Sequence, residues 1–227
     1  DQIYQQHDKL LKENVDIKVL AITTIDGMIL NEDGIDLSNW RDQMKKPDFP
    51  FGPQNVDDII KFVKEKKPLN PVFVDCTASY DLPARYLDII NAGMSIATPN
   101  KRANSMDISF YHELRRAANK MNRRFLYETN VGAGLPIIDT LQNLYKSGDK
   151  LESFNGIMSG SLSYIFGKLD EGVKFSQAVK EAKELRYTEP DPRDDLEGKD
   201  VARKALIIAR ESGYDIELTD ILHSPYA

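Results

Sequence analysis

The densest concentration of reactive side chains lies at residues 189–195, where Glu189, Asp191, Arg193, Asp194 and Asp195 are interleaved with Pro190 and Pro192. The two prolines stiffen an extended loop and hold four acids and an arginine close together. Asp194, with Glu197 three residues on, has the spacing of a helix cap. A little further on, Asp200 and Lys204 are four residues apart and share one helical face. That spacing reads in two ways. It is a surface ion pair worth about 0.2–0.5 kcal/mol, or a lysine whose ammonium is oriented by a carboxylate and set to give up a proton.

A second group stands where strands end. The apolar run at residues 71–76 leads into Asp75-Cys-Thr77-Ala-Ser79, and the run at residues 94–97 leads into Thr98-Pro-Asn-Lys101. A doubly wound sheet binds its ligand outside the carboxyl ends of its strands. Thr77 and Lys101 are therefore either polar strand caps or contacts to the ribose, phosphates or nicotinamide of a dinucleotide. Val131-Gly-Ala-Gly-Leu-Pro136 begins like a dinucleotide fingerprint, but Ile137 stands where a third glycine or alanine is required. The alternative is a tight glycine turn whose carbonyls face inward beside Glu128, an oxygen cluster suited to a hard cation such as Na⁺ or Ca²⁺. His7, His112 and His223 have no metal-ligand spacing. Cys76 has no histidine nearby and reads as a small buried thiol.

The elements that must position these groups follow two styles. Before residue 130, short β-rich runs alternate with helical patterns, the mark of βαβ units and a parallel sheet. Strands are expected at residues 17–22, 71–76, 94–97 and 124–128. Helices are expected at 3–11, 56–63, 83–90 and 106–121, and a proline-containing loop at 42–54. Beyond residue 130 helices dominate, at 135–145, 161–169, 176–185 and 200–212. The expected fold is α/β, a Rossmann-like doubly wound parallel sheet in residues 1–130 followed by a second α+β substrate-binding and dimerisation domain in residues 131–227.

Composition narrows the classes. The 227 residues carry thirty Lys and Arg against thirty-six Asp and Glu, a net charge of −6, which argues against a broad grip on nucleic acid. No apolar run reaches the length of a membrane helix. One cysteine excludes an internal disulfide framework and fits a reducing, cytoplasmic setting. The chain opens in mid-helix without methionine and reads as a piece of something longer, cut at both ends.

Val131-Gly-Ala-Gly-Leu-Pro-Ile, Ser159-Gly-Ser-Leu-Ser-Tyr-Ile, Tyr187-Thr-Glu-Pro-Asp-Pro-Arg-Asp-Asp-Leu and Gly198-Lys-Asp-Val-Ala-Arg-Lys204 together closely resemble homoserine dehydrogenase. The first half is most similar to the dehydrogenase portion of bifunctional aspartokinase–homoserine dehydrogenases. The resemblance implies NAD- or NADP-dependent interconversion of L-aspartate 4-semialdehyde and L-homoserine. It implies Lys204 as proton donor, Asp200 as the group that orients it, and Lys101 between nicotinamide and substrate. Glu189 would hold the substrate amino group, Tyr187, Ser161 and Asp195 would line the same pocket, and Thr77 would lie against the cofactor. Glu128 with the backbone of Val131, Ala133 and Leu135 would form a monovalent cation site. A homodimer or higher homo-oligomer and a fused aspartokinase domain are further implications.

Three departures qualify the resemblance. The family's first strand and glycine-rich phosphate loop are expected ahead of residue 1, which implies little activity for this piece alone. Residues 23–27, Thr-Thr-Ile-Asp-Gly, read as the loop after the second strand, where Asp26 suits a ribose hydroxyl better than a 2′-phosphate. Arg186 occupies a position where glycine commonly precedes the Tyr-Thr-Glu-Pro run. Two other readings stand beside the dehydrogenase. An acylating semialdehyde dehydrogenase needs an activated cysteine with a histidine base, for which Cys76 has no evident partner. A non-catalytic dimerisation module of a larger allosteric enzyme would use the alternating pattern of residues 151–159.

Overall fold

The computed structural model describes residues 1–52, 54–188 and 191–221. It comprises two units, Asp1–Pro71 and Val72–Ala227.

In the first unit, α1 (Gln2–Lys12) is followed by a hairpin of β1 (Ala21–Thr24) and β2 (Gly27–Leu30), then α2 (Trp40–Gln43) and α3 (Gln54–Lys66). The expected strand at residues 17–22 thus begins later, and the expected loop at 23–27 is the tip of a hairpin. Thr24 pairs antiparallel with Gly27, leaving Ile25 and Asp26 as the turn. The reason lies in Gly27, at φ +145°: a Cβ there would come within 2.4 Å of the Phe49 carbonyl oxygen and 2.6 Å of the Pro47 ring. Only glycine lets the proline loop lie against the strand. Ile29, Ile35 and Met44 form the core, with Val19, Ile22, Leu37 and Trp40 packed around them.

The second unit holds a parallel sheet in the order β3 (Val72–Val74), β4 (Ser95–Ala97), β5 (Phe125–Leu126). The crossovers run through α4 (Tyr86–Asn91) and through α5 (Arg102–Ser105) with α6 (Ile108–Lys120). Phe73, Ile96 and Phe125 are in register on one face, and α4 packs against β4 and α6. Residues 71–76 had read as a strand buried on both faces. Instead Val72, Val74 and Leu126 are 55%, 62% and 49% exposed, because the helices lie on the Phe73 side of the sheet. Asp107 caps α6 by accepting the Phe110 N–H at 2.9 Å, and Tyr111, Leu114 and Ala118 form its buried stripe.

The remaining helices are α7 (Ile138–Lys146), α8 (Gly160–Asp170), α9 (Phe175–Glu184), α10 (Pro192–Leu196) and α11 (Lys199–Glu211). Leu162 and Ile165 of α8, Ala178 and Ala182 of α9 and Leu196 of α10 make one cluster. Ile207 and Ile208 of α11 make another with Tyr127, Val131 and Ile138. Full burial of an isoleucine such as Ile207 is worth about 1.5–3 kcal/mol, so α11 is firmly seated. Asp191 caps α10, its carboxylate accepting the Arg193 N–H at 3.0 Å. Pro192 takes the first helical position, where its missing N–H costs nothing, and Asp194 falls inside α10. Gly198, at φ +72°, turns the chain from α10 into α11.

Candidate active site

The carboxyl ends of β3 and β4 are joined by a buried polar lattice. Asp75, 1% exposed, accepts the Thr77 N–H at 2.7 Å and the Tyr86 hydroxyl. The Thr98 hydroxyl donates to the Asp75 carbonyl at 3.0 Å and accepts the Asn100 N–H at 2.9 Å. The Asn100 amide reaches across to the Ser79 carbonyl at 3.0 Å. Burial and the neighbouring Asp75 carboxylate push the Tyr86 phenol up, so it stays a proton donor. The lattice sets the Thr77 loop beside the Thr-Pro-Asn-Lys101 turn. Thr77 is exposed; its oxygen accepts the Ser79 N–H at 3.1 Å, which leaves its own O–H for a ligand.

Lys101 follows directly. Its Nζ lies 3.2 Å from Asp200 Oδ1, and Lys204 Nζ lies 2.6 Å from Asp200 Oδ2. The three side chains are between 12% and 22% exposed. The i, i+4 pair on α11 is therefore no solvated surface pair. It is a largely buried arrangement in which one carboxylate serves two ammoniums. Burial acts to raise the Asp200 pKa, but the two cations outweigh it and hold the carboxyl below the usual carboxylate range. Lys204 also donates to the Met158 carbonyl at 2.7 Å. An ammonium has three N–H donors; Asp200 and Met158 take two, and the third is left for a ligand.

These residues line a cavity of about 640 Å³ together with Ser159, Gly160, Ser161, Tyr164, Arg186, Tyr187, Thr188 and Asp195. Ser159 caps α8 through the Leu162 N–H at 3.1 Å. Beside it, the Ser161 hydroxyl donates to the buried Asp195 at 2.6 Å. Tyr187 meets Tyr164 edge-on with ring centroids 5.0 Å apart. Arg186 closes α9 in the left-handed region, at φ +60°; its N–H bonds the Lys183 carbonyl and the Tyr187 N–H bonds Ala182. This is the bond pattern of a Schellman cap, where glycine is usual, and a side chain there costs about 1–2 kcal/mol.

Of the residues singled out in the sequence, Lys101, Ser161, Tyr187, Asp195, Asp200 and Lys204 come together around this cavity. Thr77 lies in the loop after β3, and Glu189 lies outside the described residues, as does His223. Glu128 accepts the N–H groups of Ile138 at 2.8 Å and Asp139 at 2.9 Å, on the first turn of α7. Gly132 and Ala133 both have positive φ, at 78° and 52°, which turns the chain sharply between Val131 and Leu135. Among the described residues no group of three or more His, Cys, Asp and Glu could hold a metal ion. Cys76 is exposed, not buried as its type suggested, because it sits past the end of β3.

Other residues carried no local signal. Tyr164 and the Met158 carbonyl belong to the site only through the packing of α8 and the segment before it. Glu211, also unforeseen, accepts from Tyr111 at 2.9 Å, Arg115 at 2.8 Å, Tyr127 at 2.6 Å and Gln142 at 2.8 Å. It ties the end of α11 to α6, α7 and the residues after β5, and so fixes the helix that carries Asp200 and Lys204.

Comparison with known proteins gives the arrangement its context. Residues 2–128 match the model for "Homoserine dehydrogenase, NAD binding domain", and residues 136–225 the model for "Homoserine dehydrogenase". A bifunctional aspartokinase/homoserine dehydrogenase of Haemophilus influenzae is 47% identical over 221 residues, covering 97% of this chain and 27% of that protein. The chain thus spans little more than a quarter of the length of that relative. Homoserine dehydrogenase of Thermoplasma acidophilum shares the fold at a TM-score of 0.75 and 24% identity, over 96% of this chain and 67% of that one. A hyperthermophilic archaeal homoserine dehydrogenase solved with NADPH superposes at a TM-score of 0.71 with 27% identity, over 90% of this chain and 64% of that one. The mixed α/β architecture with its parallel sheet is the one these enzymes have, and the chain belongs to the homoserine dehydrogenase family.

Proposed function

We propose that the full-length protein to which this chain belongs interconverts L-aspartate 4-semialdehyde and L-homoserine with NAD or NADP as hydride carrier, and that this chain supplies the catalytic residues. The observation that carries the reading is the Lys101–Asp200–Lys204 arrangement on the wall of one cavity. A bound nicotinamide supplies the hydride. Residues 1–130 form the cofactor-binding portion and residues 131–227 the substrate portion. Thr77, with a free O–H beyond the end of β3, and Lys101 beside it offer the hydroxyl and ammonium donors that suit a ribose and a nicotinamide amide.

As hydride reaches the aldehyde carbon, negative charge builds on the carbonyl oxygen. The remaining N–H of Lys204 stabilises that charge and then transfers its proton to it. Asp200 holds the amine in place, and its own depressed pKa keeps it an anion throughout. In the reverse direction neutral Lys204 takes the hydroxyl proton. Ser161, held by Asp195, and Tyr187 shape the pocket around the substrate, and Glu189 takes its amino group. Glu128 with the carbonyls of Val131, Ala133 and Leu135 is the place for a monovalent cation. In the full-length protein an aspartokinase domain accompanies this one, and the working unit is a homodimer or larger.

Homoserine-dependent reduction of NAD⁺ and NADP⁺ by the full-length protein is the test. Lys204→Ala is expected to lower kcat by about 10²–10⁴-fold, with a smaller effect on KM. Unchanged turnover in that variant rules out Lys204 as the proton donor.

A further inference from the structure

Arg186 stands apart from the other cations of the cavity. Lys101 and Lys204 are both engaged by Asp200, and Asp195 is engaged by Ser161. The Arg186 side chain has no hydrogen-bond or ion-pair partner among the described residues, although it is exposed and lines the same cavity. Its backbone adds a second observation. At φ +60° it occupies a conformation that glycine would take without strain, and non-glycine residues held there are concentrated at functional sites. A basic residue at a helix carboxyl end also favours the helix dipole, as Lys67 at φ +48° after α3 illustrates. That explanation needs a cation but no cavity, and of the two only Arg186 lines the cavity.

The inference rests on the reading given above and asks where the other end of the substrate goes. The carbonyl end belongs to Lys204. The α-carboxylate needs a cation that is not already committed, and a guanidinium presents paired N–H donors that match a carboxylate in a bidentate fit. We propose that Arg186 receives the substrate α-carboxylate and determines specificity for an amino-acid substrate over the corresponding amino alcohol. In this role Arg186 binds and selects, while the proton transfer remains with Lys204.

The experiment uses the full-length protein and the variants Arg186→Gly, Arg186→Asn and Arg186→Lys. Glycine and asparagine both accept the left-handed backbone, so folding is preserved, and equal or higher melting temperatures verify it. The expected result is a KM for homoserine raised about tenfold in Arg186→Gly and Arg186→Asn, the loss falling on KM rather than kcat. Arg186→Lys, keeping charge but not the fork, is expected to raise KM about threefold. The KM for the nicotinamide cofactor is expected to stay within about twofold. The amino alcohol left when the carboxylate of homoserine is replaced by hydrogen is expected to react equally well with all four proteins. An unchanged KM for homoserine in an active protein overturns the role of Arg186 alone. So does a rise confined to the cofactor, or an equal loss with the amino alcohol. A wild-type protein that does not oxidise homoserine, and is indifferent to Lys204→Ala, overturns the underlying reading as well.

Discussion

Asp200 bears two ammoniums on two oxygens, so both lysines depend on its charge. Its folded-state pKa lies below the unfolded value of about 3.9. The stability it contributes is therefore complete above that value and is lost as pH falls through the folded pKa. Asp200→Asn leaves two largely buried cations facing a neutral amide, and is expected to cost roughly 2–4 kcal/mol at neutral pH. Urea unfolding at pH values from about 7 down to about 3 checks this, with the difference between variant and wild type shrinking only below about pH 4. A difference that stays constant across the range rules out the carboxylate as its source. At the same scale, Ser161→Ala removes the donor to Asp195 and is expected to cost about 1–2 kcal/mol, read from the same measurement.

At the scale of elements, α11 is held at both ends by different chemistry. Its first two turns carry Asp200 and Lys204, its middle is locked by Ile207 and Ile208, and its last turn is tied down by Glu211. Glu211→Gln keeps the shape but removes the charge that Arg115 faces at 2.8 Å. It is expected to destabilise by roughly 2–3 kcal/mol, seen as a lower urea midpoint with an unchanged slope. Ile207→Ala, creating a cavity, is expected to cost about 2–5 kcal/mol in the same assay.

The longer helices were legible in the sequence because each carries its own apolar period, whereas the four- and five-residue α2, α5 and α10 are too short to show one; the expected helix at residues 200–212 and the observed α11 differ by one residue at each end. The spacing of Asp200 and Lys204 was legible for the same reason. What was not legible depends on residues far apart in the chain. Lys101 reaches Asp200 across ninety-nine positions, and Tyr111 reaches Glu211 across one hundred. No local pattern encodes such a meeting. The β1–β2 hairpin was missed because the clash that demands Gly27 comes from Pro47 and Phe49. The exposure of Cys76 and Val74 was missed because residue type reports preference for burial and says nothing of where a strand ends or which of its faces the helices cover.

At the scale of the whole molecule, a net charge of −6 opposes association, while one face of the parallel sheet favours it. Val72, Val74 and Leu126 stand together on the open side of β3–β5, and contiguous apolar surface of this kind attracts hydrophobic dyes. The double variant Val74→Thr with Leu126→Thr is expected to lower ANS fluorescence of the purified chain and to lower its melting temperature only slightly, since both side chains are about half exposed or more. An equal dye signal in both proteins rules out this face as the binding surface. The same open side governs how the chain behaves as a colloid. Sulfate and phosphate strengthen the drive to remove apolar surface from water while screening the mutual repulsion of like-charged molecules, so the chain should salt out of ammonium sulfate earlier than its threonine-substituted counterpart.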